Sequence, residues 1–191
     1  MYQKHLFPIL LALFTLGVQL NAKDDVSASS QKITPIKFRG KEYLHRWSQG
    51  GQYEFTPVGQ EDLNTWTDML TIWVYPKVTD GDGLALQANR VLTSYQNAKG
   101  KVVRTASVPR TPETPAEHFI AVMLGSPQFL EFAAARFLLV ESKGIGVIYS
   151  HRSYGNQAAQ ELGPWVVQNG PIIEKLLMEL KPAETVSSLG K

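Results

Sequence analysis

The stretch "IYSHRSY", Ile148 to Tyr154, places a histidine, an arginine, two serines and two tyrosines within seven residues. A histidine can give or take a proton near neutral pH, and an arginine beside it can clamp an anion. His-Arg occurs once more at His45-Arg46, and a third histidine of the chain's main body stands at His118. His151 and Arg152, with His45 or His118 as partner, would therefore suit hydrolysis of a phosphate ester. Strand geometry weighs against this. In an extended strand Tyr149, His151 and Ser153 face one way while Ser150, Arg152 and Tyr154 face the other. A serine next to a histidine in sequence then points away from it, and no G-x-S-x-G elbow surrounds either serine. The competing expectation is that these are strand-end residues bonded to backbone and carboxylates.

Other constellations are weaker. The histidines His45, His118 and His151 show neither H-x-H nor H-E-x-x-H spacing, so no metal is expected, and nothing in the chain calls for a cofactor. "TDGDG" at Thr79 to Gly83 resembles the start of a calcium loop but lacks the remaining acidic ligands. It is expected to be a turn and helix cap with Asp82 as acceptor. Gly144-Ile-Gly146 precedes a strand, so it reads as hairpin geometry and not as a phosphate loop. Among four tryptophans, Trp73 lies in the apolar run "TIWVY" and is expected in the core. Trp47 and Trp66, in mixed polar surroundings, are the better contact residues, with Tyr149 and Tyr154 as companions in a binding set.

The elements that must position these residues follow from periodicity. "KEYLHRWSQGGQYEFTPVG" alternates Tyr43, His45 and Trp47 with polar residues before Gly50-Gly51, which predicts a β-hairpin ending at Pro57. Met69 to Tyr75 is a buried strand by its β-branched and aromatic content. Leu84, Ala88, Val91, Leu92 and Tyr95 form one face of an amphipathic helix closed by Gly100. Lys101 to Val108 and His118 to Leu124 read as strands on either side of the loop "PRTPETP". "FLEFAAARFLLVESKGIGVIYSHRSYG" reads as two long strands joined at Glu141 to Gly144. In "NQAAQELGPWVVQNGPIIEKLLMEL", Gly163-Pro164 and Gly170-Pro171 predict two consecutive or kinked helices.

The first residues carry Lys4, an apolar run from Leu6 to Leu20, and Asn21-Ala22 before a polar stretch, the pattern of a secretory signal peptide. The expected organisation is a signal peptide over residues 1–22, a flexible leader over 23–38, one domain over 39–182 and a flexible tail over 183–191. The expected location is the periplasm or the medium. The chain has no cysteine and a formal net charge of +2 with no basic run. A disulfide framework and a thiol nucleophile are excluded, and neither nucleic-acid binding nor stable membrane insertion after cleavage is expected.

Helix and strand do not alternate, which favours an α+β domain built on an antiparallel sheet over a parallel doubly wound one. A strand ending in "WVYP", the helix "LALQANRVL", a crossing strand, the hairpin "ARFLLVESKGIGVIYSHRSYG" and a closing helix resemble the Mog1/PsbP-like group over residues 40–181. That resemblance implies an α/β/α sandwich and an accessory or binding role. It carries over no individual residue. The first expectation is thus an exported accessory or binding protein whose partner is a protein or small molecule of the cell envelope. The alternative is the phosphate-ester hydrolase built on His151 and Arg152.

Overall fold

The computed structural model describes residues 33–189, which form an eight-stranded antiparallel sheet with three helices. The expected signal peptide, and the leader as far as residue 32, lie outside the described residues. The strands are β1 (Ile36–Phe38), β2 (Lys41–Gln49), β3 (Gln52–Pro57), β4 (Asp68–Tyr75), β5 (Lys101–Val108), β6 (Glu117–Gly125), β7 (Phe129–Val140) and β8 (Lys143–Tyr154). The helices are α1 (Gly81–Asn97), α2 (Ala158–Glu179) and α3 (Ala183–Ser188). The sheet runs β1-β2-β3-β4-β8-β7-β6-β5, so a run of hairpins is broken once, where α1 carries the chain from β4 to the far edge at β5.

The tight turns have local causes. Gly50 and Gly51 both hold positive φ, 60° and 87°, which makes the two-residue turn that matches the twist of β2 and β3. Glu141 and Ser142 make the same kind of turn between β7 and β8 at φ 50° and 58°, without glycine. Helix α1 starts at Asp80, whose carboxylate accepts from the Gly83 amide at 2.7 Å. The cap is therefore Asp80, two residues before Asp82, because only a residue outside the helix has the extended backbone that aims its oxygen at the first free amides.

Three boundaries differ from expectation. Ile36–Phe38 is an edge strand paired with β2, with Ile36 and Phe38 buried, so the leader ends earlier than residue 38. Ala183–Ser188 is a short helix whose Thr185 and Val186 are buried, so this part is no flexible tail. The segment expected as two consecutive or kinked helices is the single element α2, with Pro164 and Pro171 inside it. Both prolines lie on its exposed side, where water can satisfy the carbonyls one turn back that lose an amide partner.

Each helix covers one side of the sheet. Leu162, Val166, Ile173 and Leu177 of α2 share a core with Tyr43, Phe55, Leu70, Ile72, Phe132, Ala134, Val147 and Tyr149. Strand alternation puts their sequence neighbours, such as Ala133, Ala135 and Ile148, on the opposite side. There α1 packs on β5, β6 and β7 through Leu84, Ala88 and Tyr95. Ala133, Ala134 and Ala135 are fully buried, and their small side chains let a helix lie close to the middle of the sheet on each side. No helix among the described residues is long and apolar enough to cross a membrane.

Candidate functional site

The two sides of the sheet, named here the α2 face and the α1 face, hold different chemistry. On the α2 face the key residue is Asp68, the first residue of β4 and the register partner of His151 on β8. Gln60 fixes its backbone, since Oε1 accepts from the amides of Thr67 and Asp68 at 2.8 Å each. The Asp68 side chain is 10% exposed, and its carboxylate takes three donors. Tyr149 Oη donates to Oδ1 at 2.6 Å, Lys41 Nζ to Oδ2 at 3.0 Å, and His151 Nδ1 lies 3.0 Å from Oδ1. Burial alone would raise the Asp68 pKa, but the bonds from His151, Tyr149 and Lys41 outweigh it and hold the carboxyl well below the usual range. An ionised carboxylate can only accept, so His151 carries its proton on Nδ1.

Tyr149 in turn accepts from Arg39 Nη1 at 3.0 Å, and Arg39 Nη2 donates to Asn169 Oδ1 of α2 at 2.6 Å. The His151 ring stacks on Trp165 of α2 with centroids 3.7 Å apart and planes 3° apart. Burial, then the Asp68 charge, pushes the Tyr149 hydroxyl far above its ordinary pKa, so it stays a donor. The group ties β1, β2, β4, β8 and α2 together.

On the α1 face Arg152 and Glu131 form an ion pair, Nε to Oε2 at 2.7 Å, with side chains 3% and 1% exposed. Trp66 and Phe129 sandwich the guanidinium, their ring centroids 3.9 and 3.8 Å from Cζ. Tyr154 Oη donates to the Trp66 carbonyl at 2.7 Å and holds this lid in place.

His151 and Arg152 thus lie on opposite sides of the sheet, each already partnered. His45 shares the α2 face with His151, but β2 and β8 are three strand positions apart, about 14 Å at the usual spacing. His45 is packed against Tyr53 and Phe55. His118 is on the α1 face of β6, where Ser107 Oγ is 2.9 Å from its Nδ1. Burial lowers the pKa of both His45 and His118, and each has a buried Nε2 without a hydrogen-bond partner. The acid–base set expected from the three histidines is not formed. The Ser107–His118 pair has no carboxylate on its free nitrogen, so the third member that orients a catalytic histidine is missing. Among the described residues no group of three or more histidine and acidic side chains could hold a metal.

Trp66 is buried, at 3% exposure, while Trp73 is half-buried, the reverse of the expectation from sequence. Trp73 stacks on Tyr75, centroids 6.1 Å apart and planes 6° apart, and Tyr75 is pushed up to about 12 by burial. A β-bulge between His45 and Trp47 turns Trp47 onto the α1 face, where it pairs with Glu54 on β3. Glu54 pairs in turn with Thr71, and Gln52 with Trp73. Among the described residues α1 packs mainly on β5 to β7 and reaches β4 at Tyr75, whose side chain is hydrogen-bonded to Gln87 of α1. Trp47, Glu54 and Trp73, on β2, β3 and β4 away from the main contact of α1, are half-buried. Of the binding residues expected from sequence, Trp47, Trp66 and Tyr154 are on this face, whereas Tyr149 belongs to the other.

Sequence reasoning missed Asp68, Arg39, Lys41, Glu54, Glu131 and Trp165. A signal existed for one of them, since Glu131 interrupts the apolar run "FLEFAAARFLLV" and a charge inside a buried strand requires a partner. Asp68 gives no such cue, because an acid before an apolar run also reads as the end of a turn.

A protein-family model matches residues 32–170 of the chain. No curated protein matches it. Among solved structures the chain is similar to human STARD10, at 6% identity and a TM-score of 0.30, over 76% of this chain and 72% of that one. A likeness at that level carries no argument.

Proposed function

This chain belongs to the family whose model matches residues 32–170, and we propose that it is an exported accessory protein that binds a ligand and performs no covalent chemistry. The observation that carries the reading is the part of the α1 face formed by β2, β3 and β4. Two half-buried tryptophans and a carboxylate stand there away from the main contact of α1, while Tyr43, Phe55, Leu70 and Ile72 of the same strands are buried on the other face. A sheet face that leaves aromatic rings partly open beside a carboxylate has a surface suited to a small ligand. Support for the absence of chemistry comes from the histidines, which are separated, His151 being held by Asp68 and Trp165. The Mog1/PsbP-like arrangement draws support from α1 and α2 packing on opposite faces. Export to the periplasm or the medium rests on the pattern of residues 1–22.

A thermal-shift screen of the protein over residues 33–191 against small envelope metabolites tests binding, with Trp73→Leu as control. A ligand that raises Tm for the parent and not for the variant is the expected outcome. Turnover of phosphate diesters or carboxylic esters that is lost in His151→Ala or His118→Ala would overturn the non-catalytic reading.

A further inference from the structure

The part of the α1 face formed by β2, β3 and β4 has a defined chemical character. Glu54 stands directly opposite Trp47 on β2 and Thr71 on β4, with Trp73 two residues beyond Thr71. In an antiparallel sheet a direct pair brings Cβ atoms to about 5 Å and a diagonal pair to about 7–8 Å. Glu54 therefore occupies a position between those of Trp47 and Trp73 on the same side of the sheet. Two other acids have cationic partners: Glu131 pairs with Arg152, and Glu61 with Arg46. Among the described residues Glu54 makes no ion pair. Its one hydrogen bond comes from the Gln52 amide, Nε2 to Oε1 at 2.8 Å, which leaves Oε2 without a partner. Arg152 on β8 faces it with a charge that Glu131 already neutralises.

Indole faces are electron-rich and attract cations, and a half-buried carboxylate between them adds a full counter-charge. An anion would meet repulsion from Glu54, and a neutral sugar would leave the charge uncompensated. Resting on the binding role proposed above, we propose that the ligand taken at this face is an organic cation. Its ammonium group sits against Trp47 and Trp73 with Glu54 as its counter-ion. Burial, the largest effect on Glu54, raises its pKa, and Arg152 and Glu131 pull in opposite directions on it. Binding should accordingly weaken as the carboxyl protonates on acidification.

Titration of tryptophan fluorescence at low ionic strength, with choline and spermidine as cationic probes, tests the assignment. The neutral carbon isostere of choline, 3,3-dimethylbutan-1-ol, is the reference. The expected result is saturable binding of a cationic probe, with the neutral isostere at least about tenfold weaker, the order of a desolvated cation–π contact. Glu54→Gln should weaken the cation about tenfold and leave the isostere unchanged, while Val167→Ser, on the exposed side of α2, should change neither. Equal binding of choline and its isostere, or an unaffected Glu54→Gln variant, overturns the cation. Neutral sugars that bind through Trp73 when the cations do not would overturn the cation and leave the binding role standing. No response to any probe, together with an empty metabolite screen, would remove both.

Discussion

The two faces of this sheet use buried charge in opposite ways. On the α2 face Asp68 is over-supplied, one carboxylate with three donors, so bonding holds it ionised against the effect of burial. On the α1 face Glu54 is under-supplied, one carboxylate with a single amide donor, and burial pushes its pKa up. Donor count, not depth, decides the outcome, because both side chains lose water while only Asp68 gains enough bonds to replace it. The first arrangement holds elements together; the second leaves a carboxylate with no ion pair among the described residues.

Removing the carboxylate from the saturated face should have the largest effect. Asp68→Ala strands Lys41, His151 and Tyr149 and should cost about 3–5 kcal/mol, as the loss of one member of a buried charged group does. Urea denaturation measures this, and a loss under about 1 kcal/mol would mean that the group behaves as a surface pair. Tyr149→Phe deletes one donor to Asp68 and should cost about 1–3 kcal/mol. It should also make unfolding set in at higher pH.

Acid unfolding separates the two faces by sign. The Asp68 carboxyl is depressed in the folded state, so the stability it provides is present above its unfolded pKa of about 3.9 and is lost as pH falls below that value. The Glu54 carboxyl is raised, so its contribution is present at low pH and is lost as pH rises through its folded value. Glu54→Gln should therefore stabilise the protein at pH 7, on the order of 0.5–1 kcal/mol, with the gain vanishing below about pH 4. A variant less stable than the parent at pH 7 would show that Glu54 has a structural partner. Trp73→Leu should be the mildest for stability, within about 1 kcal/mol, while removing ligand binding.

Much of this fold was legible in the sequence, and the reasons are local. Gly50-Gly51 announced its turn, and Lys101 to Val108 was bounded correctly by its β-branched content and the prolines beyond. Alternation along Ile148 to Tyr154 correctly separated His151 from Arg152. What escaped depended on contacts distant in sequence. The bulge beside Arg46 reverses the face of Trp47, and nothing in "LHRWSQ" marks it. Trp66 looks like a loop residue until Arg152, eighty-six positions on, is seen beneath it. Pro164 and Pro171 were read as helix starts, although an exposed helix side tolerates both. The Asp68 group draws on five elements, and only the assembled sheet brings them to one carboxylate.

The far edge of the sheet determines how the molecule behaves in crowded solution. Strand β5 has no neighbour beyond it among the described residues and exposes Val103 and Val108, so its outer amides and carbonyls invite another chain to add a strand. The register shift between Val102 and Arg104, the charges of Lys101 and Arg104, and Pro109 directly after the strand all work against such addition. Arg104 is also tied back to Glu174 of α2 at 2.7 Å, which holds its bulk and charge at that rim. The same strand that closes the sheet therefore acts as its guard against fibril growth.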